Sequence, residues 1–205
     1  MQTIIWTFDR LSDVGGHPTT IEGAPALIDT AAGKAVLFDG VHDVMFVANH
    51  PLADAVAFTV EAVFRPDGGV FEQRWLHLAE ADPVNGDAQS PRTLFEVRVV
   101  ENGWYLDAFT TGPGYKKVLV VPEQTFPVGR WYAVQQTFDG KIYRAYVGGV
   151  LQAEADLDYK PQGAGRTAIG MRINKVTPFK GAVLNARFTP RALAPAEFAP
   201  LPAGL

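Results

Sequence analysis

The sequence predicts an all-β fold: a two-sheet antiparallel β-sandwich built as a single domain over residues 1–205. Three observations predict it. Apolar residues recur with a period of two, turn-forming residues interrupt that alternation about every 8–12 residues, and no segment sustains the period of a helix. The 20 glycines and 15 prolines are spread along the chain, as expected of many short connections.

The alternation places strands near 2–8, 34–39, 44–47, 57–65, 73–80, 92–100, 104–109, 117–121, 130–138, 141–147, 150–156, 166–172 and 180–188. Asn102-Gly103 and Asp139-Gly140 each separate two such runs and read as two-residue hairpin turns. Val14-Gly15-Gly16, Pro66-Asp67-Gly68-Gly69, Gly112-Pro113-Gly114 and Gly148-Gly149 mark further connections. Asp82 to Pro91 reads as a polar loop that could rim a site. Pro195-Ala196-Glu197-Phe198 alone resembles a helical turn, inside a tail (189–205) expected to lie on the sandwich. Neither a linker nor an internal repeat divides the chain.

Composition narrows the function. With 18 Lys and Arg against 22 Asp and Glu, the net charge of −4 argues against binding nucleic acid by neutralising phosphates. The absence of cysteine excludes a disulfide framework, a thiolate zinc site and a cysteine nucleophile. No run approaches the roughly 18 apolar residues of a membrane span. The opening Met1-Gln2-Thr3-Ile4-Ile5-Trp6 carries no basic n-region. As written the chain reads as cytoplasmic, or as an exported mature domain if a leader has been removed.

Strand phase sorts core from surface. Phe58, Val60, Ala62 and Phe64 face inward, with Glu61 and Arg65 opposite. Leu76 and Leu78 mark the core side of their strand, which puts Trp75 and His77 outside. Phe95, Val97 and Val99 point in, and Glu96 and Arg98 out. Trp104, Leu106 and Ala108 likewise point in, leaving Tyr105 and Asp107 on the outer face. Val134 and Phe138 indicate the core, so Gln135 faces out and Gln136 is buried.

Several segments carry a family resemblance. Ala35-Val36-Leu37-Phe38-Asp39-Gly40-Val41-His42-Asp43, Phe58-Thr59-Val60-Glu61-Ala62-Val63-Phe64-Arg65-Pro66 and Gly129-Arg130-Trp131 through Phe138-Asp139-Gly140 follow one another in order. Tyr146-Val147-Gly148-Gly149-Val150, Phe179-Lys180-Gly181-Ala182 and Arg191-Ala192-Leu193-Ala194-Pro195-Ala196-Glu197 complete the set. Together they resemble the laminin-G-like branch of the concanavalin A-like lectin/glucanase superfamily. The resemblance implies a jelly roll whose concave sheet meets carbohydrate. In many relatives carboxylates near the chain ends hold a structural calcium. Here Leu184-Asn185 stands where the pattern has Asp-Glu, leaving Asp9 and Asp39 as candidate ligands, or simply as turn residues. No cofactor is otherwise required. The alternating acids of the glucanase relatives are absent.

The candidate site is therefore the outer-face set Trp75, His77, Glu96, Arg98, Tyr105, Asp107 and Gln135. An aromatic ring can cover the apolar face of a sugar while charged groups take its hydroxyls. The leading expectation is a lectin-like carbohydrate-binding domain using Trp75, Glu96, Arg98, Asp107 and Gln135. An enzyme reading stands beside it: a polysaccharide lyase in which Arg98 neutralises a uronate carboxylate while His77 or Tyr105 moves the proton. A structural or protein-interaction domain is the third.

Overall fold

The computed structural model describes residues 2–82, 84, 85 and 87–205. In chain order its strands are β1 (Ile4–Thr7), β2 (Asp13–Val14), β3 (His17–Glu22), β4 (Ala26–Thr30), β5 (Gly33–Asp39) and β6 (Val44–Val47). There follow β7 (Phe58–Pro66), β8 (Glu72–Ala81), β9 (Ala88–Val100), β10 (Gly103–Gly112) and β11 (Tyr115–Val120). The set closes with β12 (Tyr132–Phe138), β13 (Ile142–Val147), β14 (Val150–Asp156), β15 (Gly165–Ile169) and β16 (Lys180–Thr189), before a single 3-10 turn at Pro195–Glu197.

The strands form two antiparallel sheets of eight, an all-β sandwich. In the first the order is β14-β13-β12-β7-β16-β5-β4, with β1 also paired to β16. In the second it is β11-β10-β9-β8-β15-β6-β3-β2. Between the sheets lies an aromatic core in which Trp6, Phe8, Phe38, Phe58, Phe64, Phe95, Trp104 and Phe188 are fully buried. Phe64 of the first sheet meets Trp104 of the second edge-on, with centroids 5.3 Å apart.

Gln136 enters this core as the strand phase requires. Its amide Nε2 donates to the Leu94 carbonyl (3.1 Å), and its Oε1 accepts from the Tyr143 hydroxyl (2.5 Å). Both ends of a buried amide are thereby satisfied, and the bond to Leu94 ties one sheet to the other.

Three strands were not evident from the alternation: β2, β3 and β4. In β3 and β4 most side chains are exposed or half-buried, and Pro18 interrupts β3, so no apolar face repeats at period two. The strand expected over 166–172 stops at Ile169, because Gly170 adopts φ +90° and turns the chain away. The connection expected over 82–91 is shorter, since β9 begins at Ala88, paired with Ala81. Pro83 and Gly86 of that connection lie outside the described residues.

The largest departure is in β8. Arg74 pairs with Glu96 and Leu76 with Phe95, so Trp75 is an extra residue, a β-bulge. The bulge turns Trp75 into the core beside Leu76, where its ring stacks on Phe64 (5.7 Å) and meets Phe95 (5.4 Å). Trp75 is therefore a packing residue and not a ligand platform. Trp75→Ala is expected to destabilise the fold by about 3–5 kcal/mol, measured by equilibrium urea unfolding. An exposed Trp would cost no more than about 0.5 kcal/mol.

Candidate functional site

The outer face of the second sheet gathers five of the seven expected site residues. The register sets Arg98 opposite Tyr105, Glu96 opposite Asp107, and His77 opposite Leu94. Gln135 does not join them: it lies on the outer face of the first sheet, paired with Glu61 and Tyr146. There the C-terminal segment crosses it, with Ala199 N donating to Glu61 Oε1 (2.7 Å) and Phe198 against Tyr146.

The same bulge that buries Trp75 brings Arg74 to the outer face. Strand phase read backward from Leu76 assigns Arg74 to the core. A long charged side chain at an apparent core position, next to a Trp, is the one sequence signal that could have revealed the bulge. Arg74 Nε lies 2.8 Å from Glu96 Oε1, and its Nη1 donates to Glu72 Oε2 (2.8 Å). Arg98 donates to Asp107 Oδ2 through Nε (2.8 Å) and Nη2 (2.6 Å), and to Glu96 Oε2 (3.1 Å), and also meets Glu72. Glu96 and Asp107 are only 1% exposed. Phe71 covers the network, its ring 5.5 Å from the Arg98 guanidinium carbon.

A strap of residues 171–178 crosses this face and is tied to the bulge at both ends. Gly170 N donates to the Trp75 carbonyl (2.8 Å), and Arg74 N donates to the Thr177 carbonyl (3.1 Å). Within it Lys175 (φ +59°) and Thr177 (φ +57°) hold the left-handed conformation, strained for non-glycine residues and most so for β-branched Thr177. Met171 and Ile173 pack on Val44, Phe46, Ala79 and Ala168, and Lys175 pairs with Glu22 (2.8 Å).

His77 underlies the strap. Its Nδ1 accepts from Ile173 N (3.0 Å). Burial, followed by the positive charges of Arg172, Arg92, Arg74 and Arg166, lowers its pKa to about 3. A neutral ring that accepts at Nδ1 carries its proton on Nε2. That buried N–H has no acceptor among the described residues.

Between the strap and β3, β6 and β15 lies an open cavity of about 390 Å³, a feature the sequence reading missed. Phe46, Thr20, Glu22, Arg166, Ile173 and Lys175 contribute to its lining. Phe46 and Arg166 give no distinctive pattern in sequence, and Thr20 and Glu22 come from the unrecognised strand β3.

Asp9 and Asp39 lie outside this face. Asp39 Oδ1 accepts from the backbone N–H groups of Val41, His42 and Asp43, the geometry of a turn, while Asp9 pairs with Arg10. Backbone N–H groups thus occupy Asp39 Oδ1, and the Arg10 guanidinium meets the Asp9 carboxylate. Among the described residues, no three His, Asp, Glu or Cys side chains are grouped to hold a metal.

The fold agrees with the comparisons with known proteins. A family model described as concanavalin A-like lectin/glucanases superfamily, of laminin G type, matches residues 39–199. The chain belongs to this superfamily. No curated protein matches its sequence. Among solved structures similar to this chain, domain 4 of the extracellular arabinanase AbnA from Geobacillus stearothermophilus, in complex with arabinotriose, is 19% identical. That match covers 95% of this chain and 94% of the arabinanase domain, with a TM-score of 0.66. The sialidase CBM40 of Ruminococcus gnavus, bound to α2,3-sialyllactose, is 16% identical over 86% of this chain and 95% of its own (TM-score 0.57). The binding domain of botulinum neurotoxin serotype D is 12% identical over 95% of this chain, which spans 49% of that one (TM-score 0.67). At these identities the likenesses establish the fold alone.

The site's charges make stability depend on pH in two opposite ways. His77 is neutral when folded, so its contribution is complete above pH 6.5 and is lost as pH falls toward about 3. Burial and then the neighbouring Asp107 raise Glu96 to about 7, against the pull of Arg74. Its contribution is complete below pH 4.5 and is lost as pH rises through about 7. His77→Asn should therefore flatten the acid limb of the stability profile, and Glu96→Gln should abolish the decline toward neutrality. Urea unfolding across about pH 4–8 tests both.

Proposed function

We propose that this domain binds carbohydrate, without catalysis, in the cavity bounded by the strap and β3, β6 and β15. The observation that carries the reading is the cavity itself. It lies open on a sheet face, its volume falls within the range of about 300–1,000 Å³ usual for ligand pockets, and it combines an aromatic ring with hydrogen-bonding ends. Phe46 would lie against the apolar face of a sugar, while Thr20, Glu22, Arg166 and Lys175 reach its hydroxyls. Carbohydrates in the related arabinanase domain and CBM40 structures support the same ligand class.

In this reading His77, Glu96, Arg98, Tyr105 and Asp107 support the site instead of touching the ligand. Arg98 is engaged by Glu72, Glu96 and Asp107, which leaves its guanidinium poorly placed to neutralise a substrate carboxylate. His77 is too weak a base, at about 3, to abstract a sugar proton at neutral pH. These two observations speak against the lyase reading. Binding is also proposed to be metal-independent, since the Asp9 and Asp39 carboxylates are already engaged.

Phe46→Ala is expected to weaken binding to the best ligand on a glycan array by about tenfold, with thermal stability changed little. EDTA should leave both affinity and melting temperature unchanged. A bound oligosaccharide that gains ultraviolet absorbance from an unsaturated uronate product would overturn the non-catalytic reading.

A further inference from the structure

The register of β3 on β6 gives the cavity a direction. Thr20 pairs with Phe46 and Glu22 with Val44. Pro18, Thr20 and Glu22 stand at every second position of β3, and all three line the cavity. From Pro18 to Glu22 the strand rises about 13 Å, at about 3.3 Å per residue. Beyond Glu22 lies a second cavity of about 170 Å³, lined by Gly23, Val41, His42, Val44 and Met171. Glu22 and Lys175 line both cavities.

These two shared residues face each other as an ion pair, with Lys175 Nζ 2.8 Å from Glu22 Oε1. The pair joins β3 to the strap and so bridges the two compartments. Its side chains are 57% and 44% exposed. Surface pairs of this kind are weakly held, so the hydroxyls of a ligand can hydrogen-bond to either partner. The apolar floor is continuous beneath the bridge. Phe46 and Ile173 line the first cavity, Val44 and Met171 the second, and the four belong to one packed cluster. Both far ends are rimmed by exposed residues, Pro18 and Ala48 at one and Val41 and His42 at the other.

We propose that the two cavities form a single groove occupied by an oligosaccharide chain, with the Glu22–Lys175 pair contacting the sugar at its middle. The inference rests on the first cavity being the glycan site. It narrows the ligand from carbohydrate in general to a chain of several sugars, because one ring fills only one compartment. The second cavity then adds a subsite in which His42 meets hydroxyls and Val44 and Met171 lie against the apolar face of the ring.

The test is isothermal titration calorimetry with cello-, xylo-, galacturono- and arabino-oligosaccharides, each from the monosaccharide to the hexasaccharide. In a series that binds, affinity should rise about 3- to 10-fold per added residue, the worth of roughly one net hydrogen bond. It should level once the chain fills both compartments. His42→Ala and Val41→Trp change exposed side chains of the turn between β5 and β6, the first removing a polar contact and the second filling the second cavity. Each should weaken the tetrasaccharide about 3- to 10-fold and leave the disaccharide unchanged, whereas Phe46→Ala should weaken every length alike. An affinity that is flat from the monosaccharide upward overturns the groove and leaves the glycan reading intact. Binding to no member overturns both. A length dependence untouched in both turn variants overturns the part assigned to the second cavity.

Discussion

One extra residue in β8 organises the outer face of the second sheet. The bulge at Trp75 lets two consecutive large side chains, Trp75 and Leu76, enter the core together. It also reverses the facing of Arg74, which becomes the partner of buried Glu96. Backbone groups at the bulge then receive the strap, through the Trp75 carbonyl and the Arg74 N–H. Core packing, the surface ion network and the loop that walls the cavity thus share one local irregularity. Bulges are suited to this, because they re-aim side chains and release backbone groups without ending the strand.

The ion network is better understood as support than as a contact surface. Its Glu96 and Asp107 carboxylates are almost completely removed from water, and each is answered by an arginine. Burying such groups brings little net stability, but removing one partner strands the other and costs about 3–5 kcal/mol. The arrangement therefore specifies position more than it adds stability. It holds β8, β9 and β10 in one register and gives the strap a rigid bed on which His77 can accept the Ile173 N–H.

Much of the fold was legible in sequence because the core obeys simple alternation. Phe58, Val60, Ala62 and Phe64, or Trp104, Leu106 and Ala108, each repeat at period two and are buried as that period requires. The readings that failed share a physical cause. A period argument assumes an unbroken pleat, and Trp75 breaks it. An alternation argument also needs one apolar face, which β3 and β4 lack. For Gln135 the outward facing was right but the sheet was wrong, since phase assigns a face to a strand and says nothing about which sheet contains it. Glu96, Arg98, Tyr105 and Asp107 were found together because neighbouring strands linked by a tight turn share a face. The turn residues are Glu101 and Asn102, one position before the Asn102-Gly103 expected from sequence, since Gly103 already pairs with Val100.

The outer face is divided by its strap into a closed half and an open half. On the closed side charges have found one another, and Phe71 shields them. On the open side Phe46 is half-buried, Thr20 and Glu22 are exposed, and Arg166 and Lys175 line the cavity. A sheet face meant only for solvent has no need of a strained strap, since two left-handed non-glycine residues cost of the order of 1–3 kcal/mol each. Nor would it gather Arg74, Arg92, Arg166 and Arg172 around one neutral histidine. The strap thus separates a face whose charges are paired with one another from a cavity wall lined by Phe46, Thr20, Glu22, Arg166 and Lys175.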